Sequence, residues 1–150
     1  VTKSLFLSTK LDKVIDGDTF ETNNEKYRIL GIDTPELNKD LNIQYFYAQI
    51  AKEKAIKLLQ NRFVVYEHFK NDKYDRKIVK ITLDNGQDFA SYMIENGYGI
   101  VRYISKNKSN PFYYYDHEYI DNLYNLQDKA EKNKAGFWNE SIENIKKIYS

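Results

Sequence analysis

The chain has 150 residues, 41% of them hydrophobic and 30% charged, with a formal net charge of +1 and no cysteine. That length lets folding bury about two-thirds of the unfolded chain's surface, and the composition excludes a disordered polyelectrolyte, a disulfide scaffold, a thiolate metal site and a thiol nucleophile. The near-neutral charge excludes coating of nucleic acid by bulk electrostatics, which needs a broadly basic surface, and leaves only local basic patches.

No stretch is apolar enough to span a membrane, and the first residues, VTKSLFLSTK, lack the apolar core of a signal peptide. The chain begins at Val1, as it would after removal of a leader or in a shortened chain. With no linker, repeat or composition shift, a single domain over residues 1–150 is expected.

In chain order, Leu5 and Leu7 alternate with polar neighbours, Asp16-Gly17 stands where a hairpin would turn, and Asn23-Asn24 marks a second turn before KYRILGI, which predicts a three-stranded meander. From Tyr47 the period lengthens: Tyr47, Ala51, Ala55, Leu58 and Leu59 share one face of a first helix of about four turns. RFVVYEHF and RKIVKITL return to strand character across the polar KNDKYD. Asp84-Asn85-Gly86 then leads into a short helix, QDFASYMIEN, stopped by Gly97. A short strand, GIVRYI, and a polar loop follow, and Asn110-Pro111 has the order of an N-cap and first helical residue, so a third helix is predicted from there to about Lys134. Five strands with a helix between the third and fourth fit an OB-fold Greek-key barrel, and other small α+β folds share that order.

Three polar clusters carry chemistry. In VIDGDTF the turn accounts for Asp16 and Gly17, whereas Asp18 follows it where a strand would prefer a β-branched or aromatic residue. In YRILGIDTPE, Pro35 forces Thr34 into an extended conformation, so that Asp33, the Thr34 carbonyl and Glu36 leave the strand together. In a chain with no cysteine and two histidines, such an oxygen-rich set suits Ca²⁺ far better than Zn²⁺. Arg28 and Arg76 beside a carboxylate-held cation match a phosphodiester, whose oxygens a guanidinium pairs bidentately. Strict alternation places Arg28 and Asp33 on opposite strand faces, so a bulge at Gly31 is expected. His68 and His117 are isolated and read as surface residues, the tyrosines from Tyr113 to Tyr124 as packing of the last helix, and Trp138 as a residue that docks the C-terminus.

VIDGDTF, YRILGIDTPE, DKYDR and GFW, in this order and spacing, resemble the staphylococcal nuclease (thermonuclease) family from about Val14 to Trp138. The resemblance implies an α+β OB-fold, a five-stranded Greek-key β-barrel with three α-helices. It also implies Ca²⁺-dependent hydrolysis of DNA and RNA by water attack on phosphorus, leaving 3′-phosphate ends. Carried over position by position, Asp18 and Asp33 match calcium ligands and Thr34 the carbonyl ligand, Glu36 the general base, and Arg28 and Arg76 the phosphate-binding arginines. Asp72, Lys73, Tyr74 and Tyr103 match the nucleotide pocket. The sequence departs from the pattern at Asp75, where glycine is usual, at Ser105, where a second pocket tyrosine is expected, and in the lysine-poor loop after Glu36. The expected protein is therefore a secreted or surface-exposed monomeric nuclease acting on single-stranded or frayed DNA and RNA. The alternative is a non-catalytic OB-fold module that binds single-stranded nucleic acid, although such a module has no need of two acids facing a polyanion.

Overall fold

The described residues build a mixed six-stranded sheet, a two-stranded ribbon and four α-helices. In the computed structural model, which describes residues 6–149, the first half runs β1 Phe6–Lys10, β2 Lys13–Asp16, β3 Thr19–Thr22, β4 Glu25–Ile29, β5 Ile32–Asp33 and α1 Asn42–Leu59. The second half runs β6 Phe63–Asn71, β7 Lys77–Thr82, α2 Phe89–Glu95, β8 Ile100–Val101, α3 His117–Lys132, a 3₁₀ turn Gly136–Asn139 and α4 Ile142–Ile148. Leu5 lies outside the described residues, and of the Leu7 side chain nothing is described, so the alternation expected of that pair is not addressed.

The strand order is β1-β6-β7-β4-β3-β2, with β4 and β7 parallel and the other neighbours antiparallel. The two edge strands, β1 and β2, are separated in the chain by Leu11 and Asp12 alone. Laid flat, six strands about 4.8 Å apart would hold their edges about 24 Å apart, whereas the link from Lys10 to Lys13 reaches about 10 Å. The sheet therefore curls until its edges approach, although no ladder joins β1 to β2 among the described residues.

The interior of the curl is filled by Val14, Phe20, Ile29, Val79 and Ile81 from the strands. Helix α1 closes it with Ala51, Ala55 and Leu59, α2 with Phe89, Met93 and Ile94, and α3 with Ile120 and Leu123. Each large aliphatic or aromatic side chain buried there contributes about 1.5–3 kcal/mol from its transfer out of water. Small residues on α1 let that helix lie close against β2, which matters below for the turn that follows β2.

Several expectations are corrected. Among the described residues the β-structure has six strands in one sheet and two in a ribbon, rather than five, and the α-helices number four rather than three. The third helix starts at His117, with the Asp116 side chain accepting from the Tyr119 amide as its N-cap. Asn110 instead turns a loop, its Oδ1 accepting from the Phe112 amide at 2.8 Å, because a short polar side chain caps a local turn as readily as a helix. The unforeseen α4 is capped by Ser141, and its Ile148 is fully buried. In GFW it is Phe137 that is fully buried, while Trp138 is half-buried. The turn at Asn23-Asn24 is where it was expected, both residues being left-handed with φ of 51° and 63°, as a two-residue hairpin turn demands.

Candidate active site

Asp16 pairs with Thr19 across the first hairpin, so the turn residues are Gly17 and Asp18, one position later than expected. Asp18 is thus in the turn itself, and its amide donates to Asp16 Oδ1 at 3.0 Å. Glycine is needed at 17 for room: a Cβ there would lie 2.8 Å from the Ala51 Cβ of α1 and 2.8 Å from the Thr34 side chain. This crowding seats the Asp18 carboxylate against the end of β5. Its Oδ2 accepts from the Thr34 amide at 2.9 Å and the Thr34 hydroxyl at 3.0 Å, and its Oδ1 from the Thr19 hydroxyl at 3.0 Å.

A turn at Leu30-Gly31, with Gly31 at φ +79°, separates β4 from β5. The phase is therefore reset by a break in the strand rather than by the expected bulge. Across that break the Arg28 guanidinium bridges the two buried acids: Nη1 lies 3.3 Å from Asp18 Oδ2 and Nη2 lies 3.7 Å from Asp33 Oδ1. Arg28 Nη1 also donates to the Ile32 carbonyl at 2.8 Å and the Ile29 carbonyl at 3.3 Å. Two residues unforeseen from sequence complete the setting of Asp33. Arg102 donates to its Oδ2 at 2.8 Å, and the Tyr149 hydroxyl to its main-chain carbonyl at 2.8 Å. Both come from segments far away in the chain, so no local pattern could have signalled them.

Burial acts first on the carboxyl groups of this corner, and their mutual repulsion adds to it. Burial, then the charge of Asp18, pushes Asp16 up to about 7. For Asp18 itself burial works upward, but the Arg28 charge and hydrogen bonds from Asp16, Thr34 and Thr19 outweigh it and hold the carboxyl below its ordinary value. Asp33 is raised by burial and by Asp18, against the opposing pull of Arg28 and Arg102. Glu36 reaches solvent at the mouth of the site, yet it too is raised, by partial burial and then by Asp18 and Asp33.

The loop between β6 and β7 carries the second cationic centre. Asp72 organises it: Oδ1 accepts from the amides of Tyr74 and Arg76, both at 2.9 Å, and Oδ2 accepts from Arg76 Nε at 2.7 Å. These contacts hold the Asp72 carboxyl below its ordinary value against the upward effect of burial. Asp72, expected in the nucleotide pocket, is therefore also the anchor of Arg76. Asp75 adopts the left-handed conformation, φ 60°, that the usual glycine would take. Aspartate tolerates that region better than most side chains, and the loop keeps its turn. Lys73 Nζ and Arg76 Cζ lie 5.2 and 5.4 Å from the Tyr74 ring centroid.

A cleft of about 690 Å³ joins the two centres. Asp18, Arg28, Asp33 and Glu36 line one side and Asp72, Lys73, Tyr74 and Arg76 the other, with Tyr103 also in the wall. Thr34 lies behind Asp18 rather than in the wall. His68 bonds Asn71 at 2.8 Å and His117 packs edge-on against Tyr113; neither lines the cleft.

The donor set fits a hard divalent cation by its chemistry. It offers carboxylate and carbonyl oxygens, and three carboxyl groups of this corner, Asp16, Asp33 and Glu36, are raised by burial and then by neighbouring carboxylate charge, which a cation would offset. Arg28 bridges Asp18 and Asp33 in its stead, and among the described residues no three acidic or histidine side chains form a ready cage.

Comparison with known proteins places these features in a family. The profile of the staphylococcal nuclease homologue family matches residues 26–140, which include Arg28, Asp33, Thr34, Glu36 and Arg76 and leave VIDGDTF just outside. An uncharacterized protein of Methanocaldococcus jannaschii is 32% identical over 159 residues, covering 88% of this chain and 72% of the relative. The SPbeta prophage-derived endonuclease YokF of Bacillus subtilis is 25% identical over 138 residues, covering 87% of this chain and 44% of that protein. With the profile spanning most of the chain and the archaeal relative matched over most of its length, this chain belongs to the staphylococcal nuclease homologue family.

Proposed function

We propose that this protein is a calcium-dependent nuclease of one domain, residues 1–150 on an OB-like curled barrel, that hydrolyses phosphodiester bonds in DNA and RNA. The observation that carries this reading is the shared cleft: two guanidinium groups and a raised carboxyl face one volume, beside buried acids whose negative charge is not fully offset. An anionic substrate that brings a cation with it satisfies both sets of charge.

Arg28 and Arg76 bind the phosphate oxygens and stabilise the charge that develops on them during attack. Glu36 accepts a proton from a water, whose oxygen forms the new bond to phosphorus opposite the leaving group. The bond from phosphorus to the 5′-oxygen breaks, that oxygen takes a proton from solvent, and the other product keeps a 3′-phosphate. Raising the Glu36 carboxyl strengthens it as a base. Asp18, Asp33 and the Thr34 carbonyl would hold Ca²⁺, which when bound neutralises a non-bridging phosphate oxygen. Lys73, Tyr74 and Tyr103 contact the sugar and base next to the scissile phosphate. A small ligand set suits millimolar extracellular calcium, so the protein acts as a monomer outside the cell, secreted or on its surface.

The test is incubation with single-stranded DNA in Ca²⁺ or in EGTA, with analysis of the ends. Calcium-dependent cleavage to 3′-phosphates is expected. Absence of cleavage up to mildly alkaline pH would reject the enzyme, and 5′-phosphate ends would reject this direction of attack.

A further inference from the structure

Behind the cleft, Asp33 is gripped by two residues that do not line it, Arg102 and Tyr149. The β5–β8 ribbon delivers the first. Ile32 pairs with Val101 and Asp33 with Ile100, and the Arg102 amide donates to the Gly31 carbonyl at 3.2 Å. The ribbon is tied to α3, whose Gln127 Oε1 accepts from the Val101 amide at 2.7 Å. Arg102 Nη1 thereby reaches Asp33 Oδ2 at 2.8 Å, while Asp33 Oδ1 is turned to Arg28, 3.7 Å away, which lines the cleft. The terminal torsion of an aspartate is broad when the carboxylate is free, so a grip on one oxygen decides where the other points.

Tyr149 arrives at the end of a strap, residues 136–149, whose path is set along its length. The Phe137 amide donates to the Gly97 carbonyl at 3.1 Å, and Gly97 and Gly136 cross with no room for a Cβ on either. The Tyr47 hydroxyl of α1 donates to Glu140 Oε2 at 2.6 Å, and the buried Gln44 side chain of the same helix donates to the Ile148 carbonyl at 2.8 Å. The Tyr149 ring then packs edge-on against Phe137, centroids 5.7 Å apart, and carries the Arg102 guanidinium, whose Cζ lies 5.6 Å from its centroid. Its hydroxyl donates to the Asp33 carbonyl at 2.8 Å. One ring thus supports the guanidinium and also fixes the main chain of the acid that the guanidinium holds.

Stability alone is a weak reason for this arrangement, because the Arg102 side chain is 43% exposed and water screens its charge. By charge alone, Arg102 also opposes a cation at Asp33. Orientation works the other way: partners behind a metal ligand fix its direction and commonly change metal affinity 10- to 100-fold.

We propose that Arg102 and Tyr149 are positioning residues for Asp33, so that docking of the C-terminal strap sets the cation affinity of the cleft. The proposal rests on the reading of Asp33 as a calcium ligand, and its test separates the two.

Calcium is titrated into the wild type, Arg102→Ala and Tyr149→Phe with two readouts, cleavage of single-stranded DNA and the rise in melting temperature that a bound ion produces in the absence of DNA. Arg102→Ala is expected to raise the calcium midpoint about tenfold or more in both, although loss of a positive charge would by itself lower it. Tyr149→Phe alters no charge and keeps the ring, so the proposal stays testable if the alanine variant unfolds; its midpoint should rise about fivefold, the equivalent of one hydrogen bond. In both variants kcat at saturating calcium should change far less than the midpoint. A midpoint lowered or unmoved in the variants, with or without a loss of stability in EDTA, would overturn the positioning role and leave the nuclease standing. A wild-type protein that responds to calcium in neither readout would overturn the calcium reading and the positioning role together.

Discussion

The cleft sets two arginines in place by different means. Arg28 is fixed from within the fold: its side chain is 12% exposed and is bound to two buried carboxylates and two main-chain carbonyls. Arg76 is fixed by its own loop, its side chain 26% exposed, through one aspartate four residues earlier that also accepts from two amides. The same guanidinium chemistry is thus part of the interior in one case and an attachment to a turn in the other, so catalytic and structural effects should separate at 76 and coincide at 28.

Arg28→Ala offers the sharpest break. It removes a phosphate contact and leaves Asp18 and Asp33 buried without their shared cation, so turnover should fall about 10²-fold or more and stability by about 3 kcal/mol or more. Chemical denaturation without divalent metal, alongside DNA hydrolysis, measures both losses. Arg76→Ala should cost a similar 10²-fold in turnover, but only about 1 kcal/mol of stability, since Asp72 keeps two amide donors. Equal destabilisation by the two substitutions would erase the distinction.

A pH experiment probes the buried side further. Folded Asp16 keeps its proton up to about pH 7, whereas the unfolded chain releases it near pH 4. Its contribution to stability is therefore fully present below about pH 4 and is lost as pH rises through 7. Asp16→Asn, which cannot charge, should raise the melting temperature by about 3 °C or more at pH 8 in EDTA and change it little at pH 4. A constant shift at both pH values would count against this account. Tyr149→Phe is the smallest change, removing one hydrogen bond to the Asp33 carbonyl; a loss of about 1 kcal/mol is expected by denaturation.

Legibility in the sequence divided along similar lines. Most of the residues that line the cleft lie within three short stretches, with Tyr103, Pro111 and Phe112 outside them, and the local order within those stretches already implied what they could do together. The helix formed by Ala51, Ala55 and Leu59 and the turn at Asn23-Asn24 were legible for the same reason, since period and turn chemistry act over a few residues. Arg102 and Tyr149 were not, because each reaches Asp33 through tertiary packing. Asn110-Pro111 misled because an Asx turn and a helix cap share the same residue preference. Gly17 was read as a turn former, which it is, and the structure also makes it a spacer against Ala51 and Thr34, a requirement set in part by a helix more than thirty residues later.

The parallel pairing of β4 with β7, in which Arg28 stands beside Ile78, carries a consequence for the protein during synthesis. A growing chain that has left the ribosome only as far as the first helix holds one arginine and the acids, with no opposing wall. The second arginine arrives about fifty residues later and takes its place only when that non-local ladder closes, a step that topology makes slow. On the nuclease reading proposed above, the chain would be inert toward the message that encodes it for as long as it is attached to that message unfinished.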